Sequence, residues 1–579
     1  MKLPNKLNIL YIMSLWMFVG CGVTQIDDSA NSKNSSEGEI TSGSTQVSPD
    51  TIVAGVSVEV MDASIDNYKV LKLNGDKRLQ VKLGNEEKDV YILFSNPEKS
   101  VDTAMVIHNQ KIVEPLDKIQ KSLNENIPKS LQVPNEIQEF NNGLIDLKVN
   151  TATSQKMAVT YSKTNDVVDD EQVFTMGSKS TDSNVTATVR KVVQNIDTAF
   201  GEKSLSIWVE NDAYGDNCKK KKCVTDAMID TLANKFLKSG TDNDIYDWIT
   251  NVFGEEWGTS NYSDLIGVTN HIDILLTDIL NDNDPDGGVI GYFYSKDNFS
   301  KDKYSGSNER IMFYIDSVMF ANGTDSWDEN DFWPQQVFST LAHEFQHMIY
   351  FYQKNVNQGL QGTDVWLNEM LSESTEDLVA VKMNVDGPRN VIPSRGDAGD
   401  KYNRNGRYPI FNENNTISLN SWDNTLANYS TVSSFGAYLL RNYGGAELLH
   451  NIVYNNYVNE DALMYAVHLT INGKLKTFDD LVHEWGVAVL LSKRDDIASD
   501  AGKLYNAGDF ISSDYNGIHY PLGSINFFNY NALPTLATTM GQVTPKSNYY
   551  YKVGENLKGD IDVEILDTAG LNVSVVVVK

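Results

Sequence analysis

The sequence predicts an α+β fold in which β-rich stretches at both ends of the chain flank a central region of mixed strands and helices. Near the N-terminus, short apolar runs such as DVYILFSN (89–96) alternate with polar residues and are separated by Asn, Gly and Asp. From Pro334 to about Leu491, apolar residues recur at helical spacing instead. After Met540, runs such as DIDVEIL and LNVSVVVV again have the composition of strands.

The size and charge of the chain set limits on its class. With 579 residues, of which 41% are hydrophobic, the chain can bury a sizeable core. Its formal net charge of −30 argues against a nucleic-acid partner, because proteins that bind nucleic acids need a basic surface to replace the counterions of the phosphates.

The first residues have the pattern of an export signal. Lys2 and Lys6 precede an apolar stretch at 7–19, which is too short to span a bilayer core of about 30 Å. The following Gly20-Cys21 resembles the lipobox of bacterial lipoproteins, in which the cysteine is lipidated and becomes the mature N-terminus. This resemblance implies an extracytoplasmic protein that is anchored at the outer membrane or cell surface through Cys21. The alternative is an ordinary signal peptide that happens to contain this cysteine.

These patterns divide the chain into five segments. Residues 22–50 are rich in Ser, Gly, Asn and Thr and contain no aromatic residue, which indicates a flexible tether. The predicted segments are a signal peptide at 1–20, the lipidated cysteine and tether at 21–50, an N-terminal β-rich domain at 51–150, a central domain at 151–535, and a C-terminal β-rich module at 536–579.

The remaining cysteines, Cys218 and Cys223, are separated by four lysines. Exported proteins reach compartments in which disulfides persist, so we expect these two residues to form one. Two free thiols are the alternative. A zinc site between them is disfavoured, because the intervening lysines would repel a cation.

A metal site is predicted at His343-Glu344-Phe345-Gln346-His347. The apolar spacing places this H-E-x-x-H motif on a helix that can begin near Pro334. Residues four apart lie about 6 Å apart along a helix and about 40° apart around it. Both imidazoles can therefore reach one tetrahedral zinc ion, and Glu344 is expected to act as the general base for a zinc-activated water. The alternative is an amphipathic helix with two structural histidines.

A third zinc ligand is expected on the next helix, which carries WLNEMLSE. Glu369 and Glu373 lie one turn apart there, so both carboxylates face the same side. We expect Glu369 to bind the zinc and Glu373 to accept the other ring N–H of a ligand histidine, His343. Swapped roles for the two glutamates remain open, and so does an ordinary solvated helix.

These motifs resemble those of the gluzincin metallopeptidases. Thermolysin-like members have an N-E-x-x-S-D helix that supplies a zinc-binding glutamate and a supporting aspartate, whereas this chain has the longer Glu373 in the last slot. A wider resemblance, to the hyicolysin family of secreted bacterial metallopeptidases, covers roughly 205–491 and includes ILLTDI, GGVIGYFY, HEFQHMI and WLNEMLSE. It implies that 151–535 is a zincin-like catalytic domain, a mixed sheet with helices, in which an edge strand such as RIMFYIDS lines the substrate cleft.

The resemblance implies a zinc-dependent endopeptidase that acts on polypeptides. Glu344 would take a proton from the water and deliver it to the leaving amine. Tyr429 and Tyr438 are candidates for stabilising the oxyanion, although core packing explains each of them more simply. The competing interpretations are a non-catalytic surface adhesin that retains the fold, and a zinc hydrolase of non-peptide bonds.

Two secondary features complete the predictions. Asp282, Asp284 and Asp286 partly match a calcium loop, but Phe293 stands where that loop needs a bidentate glutamate, so a solvated turn is the stronger interpretation. His483 precedes a glutamate, yet no second histidine follows at ligand spacing. We therefore expect His483 to be structural.

Overall fold

The computed structural model describes residues 57–98, 103–104, 106–109, 133–149, 166–324, 326–385, 406–498, 502–506, 512–530, 532–539, 541–566 and 568–579. These residues all belong to one contact unit, Gly55–Lys579. The predicted signal peptide, the lipidation site at Cys21 and the tether lie outside the described residues.

The strands are β1 (Ser57–Asp62), β2 (Tyr68–Leu73), β3 (Lys77–Lys82), β4 (Lys88–Ser95), β5 (Thr103–Ala104), β6 (Val106–Asn109), β7 (Glu171–Thr175), β8 (Asn184–Thr198), β9 (Gly201–Glu210), β10 (His271–Thr277), β11 (Gly291–Phe293), β12 (Met312–Asp316), β13 (Ser512–Tyr515), β14 (Ile518–Pro521), β15 (Gln542–Val543), β16 (Asn548–Leu557), β17 (Asp560–Leu566) and β18 (Asn572–Val578). The helices are α1 (Asn135–Asn142), α2 (Asp226–Phe236), α3 (Ile245–Phe253), α4 (Ser317–Phe320), α5 (Phe332–Tyr350), α6 (Val365–Met383), α7 (Arg407–Glu413), α8 (Leu426–Asn442), α9 (Ala446–Tyr454), α10 (Asn459–His468) and α11 (Phe478–Leu491). The predicted α+β class is confirmed.

The central sheet has six strands in the order β11-β12-β10-β9-β8-β7. Strands β9, β10 and β12 run parallel, and β10 is buried along its whole length because both faces of the sheet are covered. Alternate residues of β10 enter different cores. Ile274 packs with the helices on one face, whereas Leu275 packs on the other face with Ile137 of α1.

The edge of this sheet nearest α5 is β11, which pairs antiparallel with β12. The sequence analysis expected RIMFYIDS to be the edge strand. Its residues instead form β12, the second strand, because the short run Gly291–Phe293 pairs outside it. Three residues carry too weak a periodic pattern to be recognised as a strand.

The strands near the two ends of the chain form two further four-stranded sheets, in the orders β1-β3-β17-β6 and β16-β4-β18-β2. They share one apolar core. The sequence predicted separate modules at 51–150 and 536–579, but β17 pairs with β3, and β18 lies between β2 and β4. Alternating hydrophobicity identifies such strands without identifying their partners.

Two long helices, α5 and α6, carry the residues of the predicted metal site. A π-helical stretch, Phe351–Asn357, extends α5, and α6 ends at Asn384 in a left-handed conformation with φ of 54°. The predicted disulfide is present between Cys218 and Cys223. Among the helices that the structure describes, none is long and apolar enough to cross a membrane.

Candidate metal centre

His343 and His347 of α5 meet Glu369 of α6 in a buried cluster. Oε2 of Glu369 lies 3.1 Å from Nε2 of His343 and 3.5 Å from Nε2 of His347. Ligand atoms at zinc-bond lengths of about 2.0–2.1 Å in a tetrahedron lie about 3.3 Å apart. The two distances from Glu369 are close to this spacing, and all three ligand atoms lie within 4.8 Å of one another.

The other ring nitrogens of both histidines already have partners. Nδ1 of His343 lies 2.8 Å from Oε1 of Glu376, whose second oxygen accepts a hydrogen bond from Ser339. Nδ1 of His347 lies 3.1 Å from Oδ1 of Asn368. Acceptors at Nδ1 favour the tautomer that leaves Nε2 free to bind a metal, so both imidazoles are oriented as ligands.

Glu373 does not take the role that the sequence analysis gave it. Its Oε1 accepts from Nε of Arg407 at 2.8 Å and forms an ion pair with Nη2 at 2.7 Å, while Glu376 contacts His343. The reason lies in the helix geometry. Glu376 lies seven residues after Glu369 and is rotated from it by only about −20° around the helix axis. Glu373 lies four residues after Glu369 and is rotated by about +40°. Because α5 and α6 are antiparallel, the later residue of α6 reaches the earlier part of α5.

The local charges shift the pKa values of the centre. Burial alone would raise the pKa of the Glu369 carboxyl, but His347 and His343 outweigh burial and lower it to about 2. For His343, burial disfavours the charged ring, yet hydrogen bonds to Glu369 and Glu376 raise its pKa well above the usual value. Both shifts have the same cause, because the carboxylates of Glu369 and Glu376 favour a positive charge beside them.

Glu344 lies beside the ligands without pairing with either histidine through a hydrogen bond. Its Oε2 accepts the backbone N–H of Phe293 at 2.8 Å, which fixes the carboxylate against the end of β11. Burial raises its pKa, and the charges of His343 and His347 oppose that shift. A buried carboxyl with a raised pKa is suited to accept a proton and release it again.

Of the two candidate tyrosines, only Tyr429 lies at this site. Its Oη accepts from Nε2 of Gln138 at 2.5 Å, and Nε2 also donates to Oε1 of Glu369 at 3.0 Å. Burial, followed by the charges of Glu369 and Glu344, raises the pKa of Tyr429. Tyr438 instead donates to the carbonyl of Gly502, as expected for a core residue.

The sequence analysis missed several residues that the structure brings to the centre. Glu376 could have been found by extending the helical period two turns beyond Glu369. Arg407 and the α1 residues Gln138, Asn141 and Asn142 carry no motif, and their positions depend on tertiary packing alone.

Two other acidic groups are less suited to a metal. Asp166 and Asp273 lie near His271, but both carboxylates bind Arg310, at 2.7 and 2.8 Å from its Nη1. In the turn that partly matches a calcium loop, the Asp282 and Asp284 side chains accept backbone N–H groups of the turn itself. A solvated turn stays the prediction, with calcium binding as the alternative.

Comparison with known proteins identifies the class to which this geometry belongs. The sequence profile of the peptidase M30 family matches residues 181–502, and the chain belongs to that family. Residues of the chain are also 26% identical, over 327 positions, to the neutral metalloprotease ShpI of Staphylococcus hyicus. That match covers 56% of this chain and 63% of the relative. The predicted relationship to the hyicolysin family is confirmed.

Solved structures were compared as well. An M1 zinc metallopeptidase from Deinococcus radiodurans is 12% identical, with 75% of this chain and 94% of that chain covered and a TM-score of 0.29. A mutant of the M1 enzyme gives 11% identity, coverage of 74% and 91%, and a TM-score of 0.28. Scores at this level do not establish a shared fold.

Proposed function

We propose that this protein is a zinc-dependent endopeptidase with a zincin-like catalytic domain. The observation that carries the proposal is the convergence of His343, His347 and Glu369, whose ligand atoms lie within 4.8 Å of one another beside the buried carboxylate of Glu344. Membership of the peptidase M30 family and the similarity to a neutral metalloprotease support the same activity.

A zinc ion held by these three residues would polarise the scissile carbonyl and lower the pKa of a water molecule. Glu344 accepts the proton of the attacking water and later delivers it to the leaving amine. The N–H of Phe293 holds one carboxylate oxygen of Glu344, so the other oxygen is free for this proton. Glu376 and Asn368 keep the ligand imidazoles in the required orientation.

Tyr429 is the best candidate for the oxyanion donor. Its hydroxyl shares Gln138 Nε2 with Glu369, and both Glu369 and Glu344 act on its pKa. The raised pKa keeps the phenol protonated, so its O–H can donate to the negative oxygen that develops during hydrolysis.

The substrate would be an extended polypeptide that adds to the outer edge of β11, the edge that does not pair with β12. Backbone groups at a sheet edge bind a peptide through main-chain hydrogen bonds, whatever its side chains. We also propose the location that the N-terminal pattern implies, an extracytoplasmic protein anchored through a lipidated Cys21. The assignment of 151–535 as the catalytic domain is part of this proposal.

The decisive experiment measures zinc and cleavage together. We expect about one zinc ion per chain, digestion of casein and a peptide library, and complete loss of digestion on chelation. Glu344→Gln should retain the zinc and lose activity by about 100-fold to 10,000-fold, the range for a positioned general base.

The control is Glu484→Gln, a glutamate that pairs with Lys476 away from the centre. It should leave both zinc and digestion unchanged. Full activity of Glu344→Gln would refute the role of Glu344. Zinc occupancy without cleavage of any peptide would favour the adhesin, and selective cleavage of non-peptide bonds would favour the other hydrolase.

A further inference from the structure

Helix α1 lies against the metal centre and occupies the groups that a substrate would need. We propose that α1 is an intramolecular inhibitor, which covers the peptide-binding edge and has to leave before a polypeptide can enter. This inference rests on the proposed peptidase function. Three polar side chains of α1, those of Gln138, Asn141 and Asn142, make the contacts that carry it.

Asn141 uses its side-chain amide as a peptide group would use its backbone. Nδ2 donates to the carbonyl of Phe293 at 2.7 Å, and Oδ1 accepts from the N–H of Ser295 at 2.9 Å and from its hydroxyl at 2.8 Å. Phe293 is the last residue of the edge strand β11, and its N–H binds Glu344. The carbonyl beside the general base is therefore already paired, and no substrate N–H can bind it while α1 stays.

Gln138 closes the site from the other side. Its Nε2 binds both Oε1 of Glu369 and the hydroxyl of Tyr429, and its Oε1 accepts from the indole of Trp422 at 3.2 Å. An oxyanion that forms in the cleft needs the Tyr429 hydroxyl to turn towards it. The amide of Gln138 lies between these groups, where the reacting peptide would have to pass.

Asn142 contacts α6, the helix that carries Glu369. Its Oδ1 accepts from Nδ2 of Asn368 at 2.7 Å, and Asn368 in turn contacts His347. The outward face of α1 is different, because Glu136 and Glu139 are exposed. The helix therefore presents amide groups to the centre, Ile137 to the core against the sheet, and charges to solvent. A substrate can satisfy the same hydrogen-bonding groups when it replaces α1.

Asn141→Ala provides the cleanest test, because Asn141 contacts the edge strand without touching a proposed metal ligand. In the zinc-loaded protein we expect kcat/KM for a peptide substrate to rise by on the order of tenfold, because the three hydrogen bonds of the Asn141 side chain no longer hold α1 in place. Glu139→Ala, on the exposed face of the same helix, is the matched control and should leave kcat/KM unchanged.

A binding measurement separates this inference from the proposed function. In a Glu344→Gln background, calorimetry with a dipeptide hydroxamate should give a Kd about tenfold lower for Asn141→Ala, and an unchanged Kd for Glu139→Ala. If Asn141→Ala lowers kcat/KM, or changes neither kcat/KM nor the Kd at full zinc occupancy, α1 is a permanent part of the site and the inference is wrong. If the Kd falls but no protein cleaves peptides, α1 covers the site and the peptidase assignment fails instead.

Discussion

Two buried histidines in different regions of this molecule, His343 and His483, have contrasting surroundings. In the metal centre, His343 lies between the carboxylates of Glu369 and Glu376. Where α11 packs on strands β4 and β18, His483 lies between the hydroxyls of Ser95 and Ser574, at 2.7 Å from each. Both imidazoles are almost completely buried. The difference in their partners determines whether a positive charge is tolerated.

The hydrogen bonds of His483 define its neutral tautomer. Ser95 donates its only hydroxyl hydrogen to Oδ1 of Asn548, so it accepts from Nδ1–H of His483. Nε2 is then left to accept from Ser574. Burial accordingly lowers the pKa of His483 to about 3, with a further contribution from Lys72, whereas carboxylates raise the pKa of His343. Burial by itself therefore does not indicate a metal ligand, and the chemistry of the neighbours does.

The largest expected effect comes from removing charge at the centre itself. Glu369→Gln keeps the size of the side chain but loses its negative charge, so we expect zinc affinity to fall by more than the roughly 100-fold that the loss of a supporting residue can cost. Competition with a chromophoric chelator measures the change. Glu373→Gln is the control and should stay within a few-fold, because Arg407 binds Glu373. A larger loss of zinc affinity in Glu373→Gln than in Glu369→Gln would mean that Glu373 is the zinc ligand.

A smaller loss of zinc affinity is expected from a change at Glu376, which contacts a proposed zinc ligand rather than the zinc ion. Glu376→Gln replaces the carboxylate at Nδ1 of His343 by a neutral amide, and we expect zinc affinity to fall by about 10-fold to 100-fold. Ser339→Ala removes only the hydroxyl that orients Glu376, so its effect should be smaller still. An unchanged affinity in Glu376→Gln would show that this carboxylate does not support the ligand.

The sequence predicted the parts of the centre that local geometry determines. The spacing of His343 and His347 follows from one helical turn, and Glu369 was found because a two-histidine site needs a carboxylate nearby. The choice between Glu373 and Glu376 depended on the antiparallel packing of α5 and α6, which no local pattern specifies. Gln138 lies more than 200 residues before its partner Glu369, and Asn141 lies more than 150 residues before its partner Phe293. Only the folded chain therefore reveals these contacts.

The same limit applies to the β-rich ends. Alternation in residues 68–95 and 548–578 correctly predicted strands, but β18 forms hydrogen bonds with both β2 and β4 across more than 470 residues. His483, expected to be structural, contacts β4 through Ser95 and β18 through Ser574. The structural role of His483 depends on partners near both ends of the chain, so the sequence around His483 does not reveal it.

The last effect concerns stability rather than zinc affinity, and it is expected at His483 only in acid. The folded state holds His483 neutral down to about pH 3, whereas the unfolded chain takes up the proton near its ordinary pKa of about 6.5. Between these values the unfolded state binds more protons, so the free energy of unfolding falls as the pH falls. From pH 7 to pH 5 this one group should remove about 2 kcal/mol.

His483→Gln removes the titrating group and keeps a neutral side chain that can form hydrogen bonds. The other titrating groups are common to both proteins, so urea unfolding at pH 7 and pH 5 isolates the contribution of His483. The variant should lose less stability over this interval than the original chain, by about 2 kcal/mol. Equal losses would mean that the hydroxyls of Ser95 and Ser574 tolerate an imidazolium, and the contrast between the two buried histidines would then disappear.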